Sequence, residues 1–154
     1  MIKQNNIVRK KYVILILSTI LIGIQFYRPQ KPIYKKLTPN DIIYSNKPPK
    51  EIANLVKNAC YDCHSNETKK YWYSNIVPVA WLIDYDIKEG KEKLNFSDWE
   101  TYPHKKKIET AGNIMFQMYE GKMPLPIYTK LHHKSNLSKA QQNKITEWIN
   151  SLVK

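Results

Sequence analysis

Four glycines in 154 residues, all far apart, leave no phosphate-cradling loop and no glycine-rich dinucleotide fingerprint. Acids are scarce too, 13 against 25 lysines and arginines, for a net charge of +12. No predicted helix face carries paired carboxylates for acid–base work, and no serine stands in an activating pattern, so a bond-making enzyme is not expected. Cysteine occurs only twice, which excludes a framework of several disulfides. Nowhere does apolar and polar character alternate with period two over strand length, and there is no internal repeat. That leaves an all-α class. The basic surplus lacks any lysine and arginine block alternating with aromatics and any helix-turn-helix or zinc-finger spacing, so nucleic acid is not an expected partner.

What the chain does have begins at its N-terminus. Residues 1–30 carry Lys3, Arg9, Lys10, Lys11 and Arg28 and no acid, leaving 20 basic against 13 acidic residues for the rest. The stretch "YVILILSTILIGIQF", Tyr12 to Phe26, is uncharged. Its length suits a long signal-peptide core and is a little short of the roughly 20 residues of a spanning helix. The following "GIQFYRPQKP" offers no small-x-small cleavage site, and Tyr12 and Tyr27 stand where interfacial aromatics stand. The expectation is a basic cytoplasmic flank over 1–11 and a single-pass signal-anchor over 12–27. Everything after it would then lie in the periplasm, with the cysteines in an oxidising compartment.

Residues 28–50 read as a proline- and lysine-rich linker, from which "DIIY" could dock on the domain. One domain is expected over 51–154. Its first helix starts in "PPKE" and puts Ile52, Leu55, Val56, Ala59 and Cys60 on one stripe. Further helices are predicted over 79–89, 105–120 and 139–152. The last carries Ser138 as N-cap with Gln141 as its capping-box partner.

At the end of the first of these helices stands "NACYDCHSNE", with both cysteines, Cys60 and Cys63, and His64 directly behind. This is the attachment pattern of c-type haem, in which each sulfur forms a thioether to a porphyrin vinyl group and the histidine ligates the iron. Positions i, i+3 and i+4 share a face of a helical turn, so the three side chains can address one plane. A thioredoxin-type redox pair needs a βαβ scaffold, for which there is no strand pattern. A structural zinc site would add His64, His132 or His133 to the two thiols. Iron with one histidine needs a sixth ligand to transfer electrons without rearrangement, and Met115, Met118, Met123, His104, His132 and His133 are candidates. Met115 and Met118 have the helical spacing of packing residues. Met123 stands just past Gly121 in "GKMPLPIY", where Pro124 and Pro126 stiffen the loop, and is the assigned ligand.

The strings "ACYDCHSNETKKYWYSNIVPVAWLI", "LNFSDWETY", "EGKMPLPIYTKLHHKSNLS" and the closing "WI" resemble the small haem-binding domain family of membrane-anchored bacterial monohaem cytochromes. The resemblance runs from about residue 40 to the C-terminus. It implies a cytochrome c-like domain with one haem c joined to Cys60 and Cys63, His64 as proximal ligand and Met123 as distal ligand. Likeness to cytochromes c also suggests Pro78, fourteen residues after His64, as the carbonyl accepting the ring N–H of that histidine.

Tyr71, Trp72, Tyr73 and Trp81 either line the macrocycle edge or fill the core. His104, His132 and His133 sit in lysine-rich surroundings and are expected to be exposed. The reading is a monohaem c-type cytochrome passing one electron to redox partner proteins, which a basic rim could steer. The rival is a haem-based sensor or peroxidase-like domain whose sixth ligand is labile or absent.

Overall fold

Caps and prolines set where the helices of this chain begin. The computed structural model describes residues 2–29 and 38–154; Met1 and residues 30–37, which include part of the expected linker, lie outside the described residues. The α-helices are α1 (Ile2–Ile24), α2 (Ile42–Asn46), α3 (Lys50–Ala59), α4 (Tyr61–His64), α5 (Val79–Lys93), α6 (His104–Tyr119), α7 (Pro126–Leu131) and α8 (Lys139–Ser151). Short 3-10 turns cover Trp72–Asn75, Phe96–Thr101 and His133–Ser135. The described residues contain no strand, so the chain is all-α. Helix α8 starts on the expected capping box, with the Gln141 N–H donating to Ser138 Oγ and the Ser138 N–H to Gln141 Oε1.

The structure divides into two compact units. One holds α1 and residues 70–86. The other holds residues 38–69 and 87–154, and in it lies the hydrophobic core. There α3 packs on α8 and α4, α6 packs on α8, and both α2 and α4 meet the Phe96–Thr101 turn. Val56, Phe96, Trp99, Ile145 and Ile149 are sealed between them.

Helix α2 has five residues, too few to persist on propensity alone. Its anchor is Ile42, fully buried in this core, a burial that contributes roughly 1.5–3 kcal/mol. Its cap is Asp41, also fully buried, whose Oδ1 accepts the N–H of Ile43 at 2.9 Å and of Tyr44 at 3.3 Å. The same oxygen accepts the Tyr61 hydroxyl at 2.9 Å, and Oδ2 accepts Ser97 Oγ at 3.4 Å. One carboxylate thus ties α2, the start of α4 and the Phe96–Thr101 turn. Burial pushes the Asp41 carboxyl above its usual pKa despite these bonds.

In the other unit, the uncharged part of α1 from Tyr12 to Ile24 extends about 20 Å at helical rise, against ~30 Å of bilayer hydrocarbon. Among the described residues no helix is long and apolar enough to cross a membrane. The spanning segment expected over 12–27 is therefore not supported. The helix stops at Ile24, and Gln25, Phe26 and Tyr27 close back as a turn on the carbonyls of Ile22, Gly23 and Ile24.

Replacing Asp41 by alanine strands the Tyr61 hydroxyl and two N–H groups and is expected to cost about 2–3 kcal/mol in urea unfolding. Asp41→Asn keeps an acceptor and should cost less than half as much. A raised carboxyl pKa means that the folded state holds the proton more tightly than the unfolded chain, so Asp41 favours folding less as pH rises through its range. The asparagine variant should therefore gain on the parent as pH is raised from acid to neutral.

Candidate functional site

The turn that carries both cysteines is made by a break in the helix. Cys60 leaves helical geometry at φ −126° and ψ −37°, ending α3 and capping α4. Its N–H still donates to the Val56 carbonyl at 2.9 Å, while its own carbonyl accepts the N–H of His64 at 2.9 Å and of Cys63 at 3.2 Å. Cys60, Cys63 and His64 therefore belong to one tight turn. Both cysteines are half-buried, and neither is in a disulfide. Burial, and then the neighbouring Cys63, push the Cys60 thiol up to about 12, so it is neutral rather than thiolate.

Helix α5 lies directly against this turn. A Cβ on Gly90 would stand 2.7 Å from the Cys63 carbonyl oxygen, closer than atoms can pack, so only glycine permits the approach. The contact brings two carbonyls to the imidazole: His64 Nδ1 lies 2.9 Å from the Gly90 oxygen and 3.2 Å from the Leu94 oxygen. Carbonyls only accept, so Nδ1 carries the proton and the lone pair of the neutral ring is on Nε2. Burial lowers the His64 pKa, against the opposing pull of the Leu94 and Gly90 carbonyls, and keeps the ring neutral. Phe96 meets the ring edge-on at 6.4 Å.

Pro78 does not fill the role expected of it. Its carbonyl accepts the N–H groups of Trp81 at 3.0 Å and Leu82 at 3.4 Å in the first turn of α5, and Gly90 and Leu94 hold the His64 ring instead.

Met123 is half-buried on a separate segment. Gly121, at φ 66°, turns the chain out of α6, and the Met123 N–H returns to the Gln117 carbonyl at 3.2 Å. After the cis Met123–Pro124 peptide, Pro126 opens α7 at its first position. The proline-stiffened loop expected over "GKMPLPIY" is thus helical from Pro126 onward. From α7 the Tyr128 hydroxyl donates to Asp62 Oδ2 at 2.7 Å and reaches the Asn58 carbonyl at 3.4 Å, tying the Met123 segment to the cysteine turn. Met118 is buried in the core and Met115 is half-buried on α6. His104 and His133 are exposed as expected, but His132 is half-buried, stacked on Tyr128 at 4.3 Å. The aromatic run is not core: Trp72 is 80% exposed, and Trp81 is also exposed.

The model of one protein family, the haem-binding domain, matches residues 19–151. The chain belongs to that family. Comparison with curated proteins and with solved structures gives no match. As a haem-binding domain, the chain takes haem as its cofactor, and the side chains fit that group. The turn presents two thiols outside any disulfide and a neutral imidazole whose Nε2 is unprotonated, and a thioether stands on a braced segment tethered to it. Four residues after His64, the buried Thr68 hydroxyl has no hydrogen-bond partner among the described residues, an unmet donor and acceptor close in sequence to the turn. The zinc alternative finds no support, because among the described residues no three His, Cys, Asp or Glu side chains group to hold a metal ion.

No expected role attaches to Gly90, Leu94, Tyr128 or Thr68 in the sequence, although Leu94, Tyr128 and Thr68 stand within the strings that carry the resemblance; Gly90, in "IKEGKEK", stands outside them.

Gly90→Ala is expected to destabilise the domain by about 1–3 kcal/mol and to lower its haem content, read by unfolding and by absorbance per polypeptide. Gly112, inside α6 with nothing within 4 Å of where a Cβ would stand, is the control. There alanine should stabilise by about 0.5–1 kcal/mol and leave haem content unchanged.

Proposed function

We propose that this haem-binding domain is a monohaem c-type cytochrome that carries one electron at the outer face of the cytoplasmic membrane. The observation that carries the reading is the α4 turn, where Cys60 and Cys63, neither of them in a disulfide, share one turn with a His64 ring whose Nδ1–H is committed to two carbonyls. In this reading Cys60 and Cys63 hold the haem through thioethers, His64 Nε2 is the proximal ligand and Met123 Sδ the distal one. When bound, the haem iron supplies one-electron exchange between its ferrous and ferric states.

Each residue has a separate task. The thiols fix the group so that it cannot dissociate. The carbonyls of Gly90 and Leu94 hold the imidazole in one tautomer and make Nε2 a better donor. Tyr128, through Asp62, holds the methionine segment to the turn, which limits rearrangement when charge changes. The surplus of lysine and arginine supports an acidic redox partner protein, drawn by long-range attraction.

Membrane attachment is assigned to α1. From Tyr12 to Leu17 six consecutive side chains are exposed, which at helical spacing covers every side of the helix with unpartnered apolar surface. Insertion into a bilayer removes that surface from water. A short apolar run is accommodated by local thinning and by Arg9, Lys10 and Lys11 reaching to the headgroups. The protein should remain with membranes through alkaline carbonate extraction, and recovery in the soluble fraction would refute the attachment.

In a host able to mature c-type haem, the intact protein should carry haem through denaturing electrophoresis and show the added mass. Cys60→Ala or Cys63→Ala should leave at most one thioether and sharply reduce the holoprotein. The reading fails if the parent protein shows only the bare polypeptide mass. Met123→Ala should keep covalent haem, lose the far-red band of ferric haem–methionine ligation and lower the reduction potential. Without a change in band or potential, the distal assignment fails.

A further inference from the structure

The unit that contains α1 carries a second exposed apolar feature besides the helix. Residues 70–86 are fastened to the end of α1 by two sets of contacts within that unit. The Gln25 carboxamide pairs with the backbone of Val77 in both directions, Nε2 donating to the carbonyl at 2.8 Å and Oε1 accepting the N–H at 3.1 Å. Two residues on from Gln25, the Tyr27 carbonyl accepts the Trp81 indole N–H at 2.8 Å, and the two rings meet edge to face at 6.4 Å. The segment is thus held at the C-terminal end of the apolar helix by its backbone and by a ring.

What this segment exposes is not what a water-facing surface exposes. Phe26 is 89% exposed, Tyr27 80% and Trp72 80%, and Trp81, Leu82 and Tyr85 are exposed as well. Arg28 and Lys70, also exposed, supply positive charge. Trp and Tyr with apolar bodies and polar edges concentrate at the headgroup level of bilayers, and lysine and arginine there meet anionic lipid. The apolar run that leads into this face is some 22 Å long from Tyr12 to Phe26 if taken as helical, which is short of ~30 Å of hydrocarbon. A belt of interfacial aromatics at one end complements such a short insert, because it gains binding energy at the depth the helix does not fill.

We propose that the exposed aromatics Phe26, Tyr27, Trp72, Trp81 and Tyr85 of this unit make a lipid-contacting surface that seats at the headgroup level of a phospholipid bilayer containing anionic lipid. The proposal rests on the reading of α1 as a membrane-inserting helix and extends it to a stretch of chain more than forty residues away in sequence. The Gln25–Val77 pairing is the larger part of its clamp, with the Tyr27–Trp81 contact beside it.

The test uses the full haem-loaded chain reconstituted into vesicles of phosphatidylcholine and phosphatidylglycerol. A phosphatidylcholine bearing a photoactivatable diazirine near its acyl carbonyl is included, and labelled peptides are mapped by mass spectrometry. Peptides from α1 and peptides from 70–86 should both be labelled, each several-fold above those from 38–69 and 87–154. Gln25→Ala should reduce labelling in 70–86 several-fold and leave that in α1 unchanged. Labelling of α1 with 70–86 at the level of the remaining domain overturns this proposal and leaves the insertion of α1 standing. Labelling of neither overturns both. Labelling of 70–86 that is unaffected in Gln25→Ala overturns the clamp.

Discussion

The site depends on how closely one backbone can lie against another. Helix α5 reaches the cysteine turn only because Gly90 has no side chain, and that approach brings the Gly90 and Leu94 carbonyls to His64 Nδ1. Three properties of the imidazole follow: its tautomer, its orientation and the nitrogen it offers. Push α5 outward by the width of a methyl group, and the acceptors withdraw while the ring stays buried. A buried polar group without its partner costs several times what the bond contributes when made, so the ring has one good arrangement and no cheap second one.

Beneath the turn, Asp41 does for the fold what Gly90 does for the site. Its single side chain satisfies donors from α2, from Tyr61 on α4 and from Ser97, all away from water. Tyr61 in turn stacks on Phe96 at 5.7 Å, and Phe96 borders His64. Packing, capping and the site are therefore one connected structure in this unit, and the short helices α2 and α4, neither stable alone, exist because of it.

Elements whose cause is local are legible in the sequence. The capping box of α8 needs only Ser138 and Gln141, and the stripe that buries Val56 and Ala59 in α3 is plain in its spacing. That stripe also ends where the sequence places the turn of Cys60, Cys63 and His64. What is not legible is set by chain segments far apart. Pro78 has the spacing of a partner for the histidine, yet its carbonyl is used in starting α5, and the true acceptors are main-chain groups that carry no residue signature. Helix α7 resembles loop in the sequence because Pro124 and Pro126 stand at its start, although Pro126 is well suited to a first helical position. The aromatics of 71–81 suggest burial in a core or on a cofactor, and the pairing of Gln25 with Val77, fifty-two residues apart, leaves no trace in the pattern.

The histidine's two acceptors are carbonyl oxygens, and every residue has one. Substitution along the outer side of α5 can alter charge, shape and docking chemistry freely without deleting the ring's partner, provided the helix stays helical and position 90 stays bare. Natural variation in this domain should accordingly be generous on that flank and stop abruptly at a single residue that has no side chain to conserve.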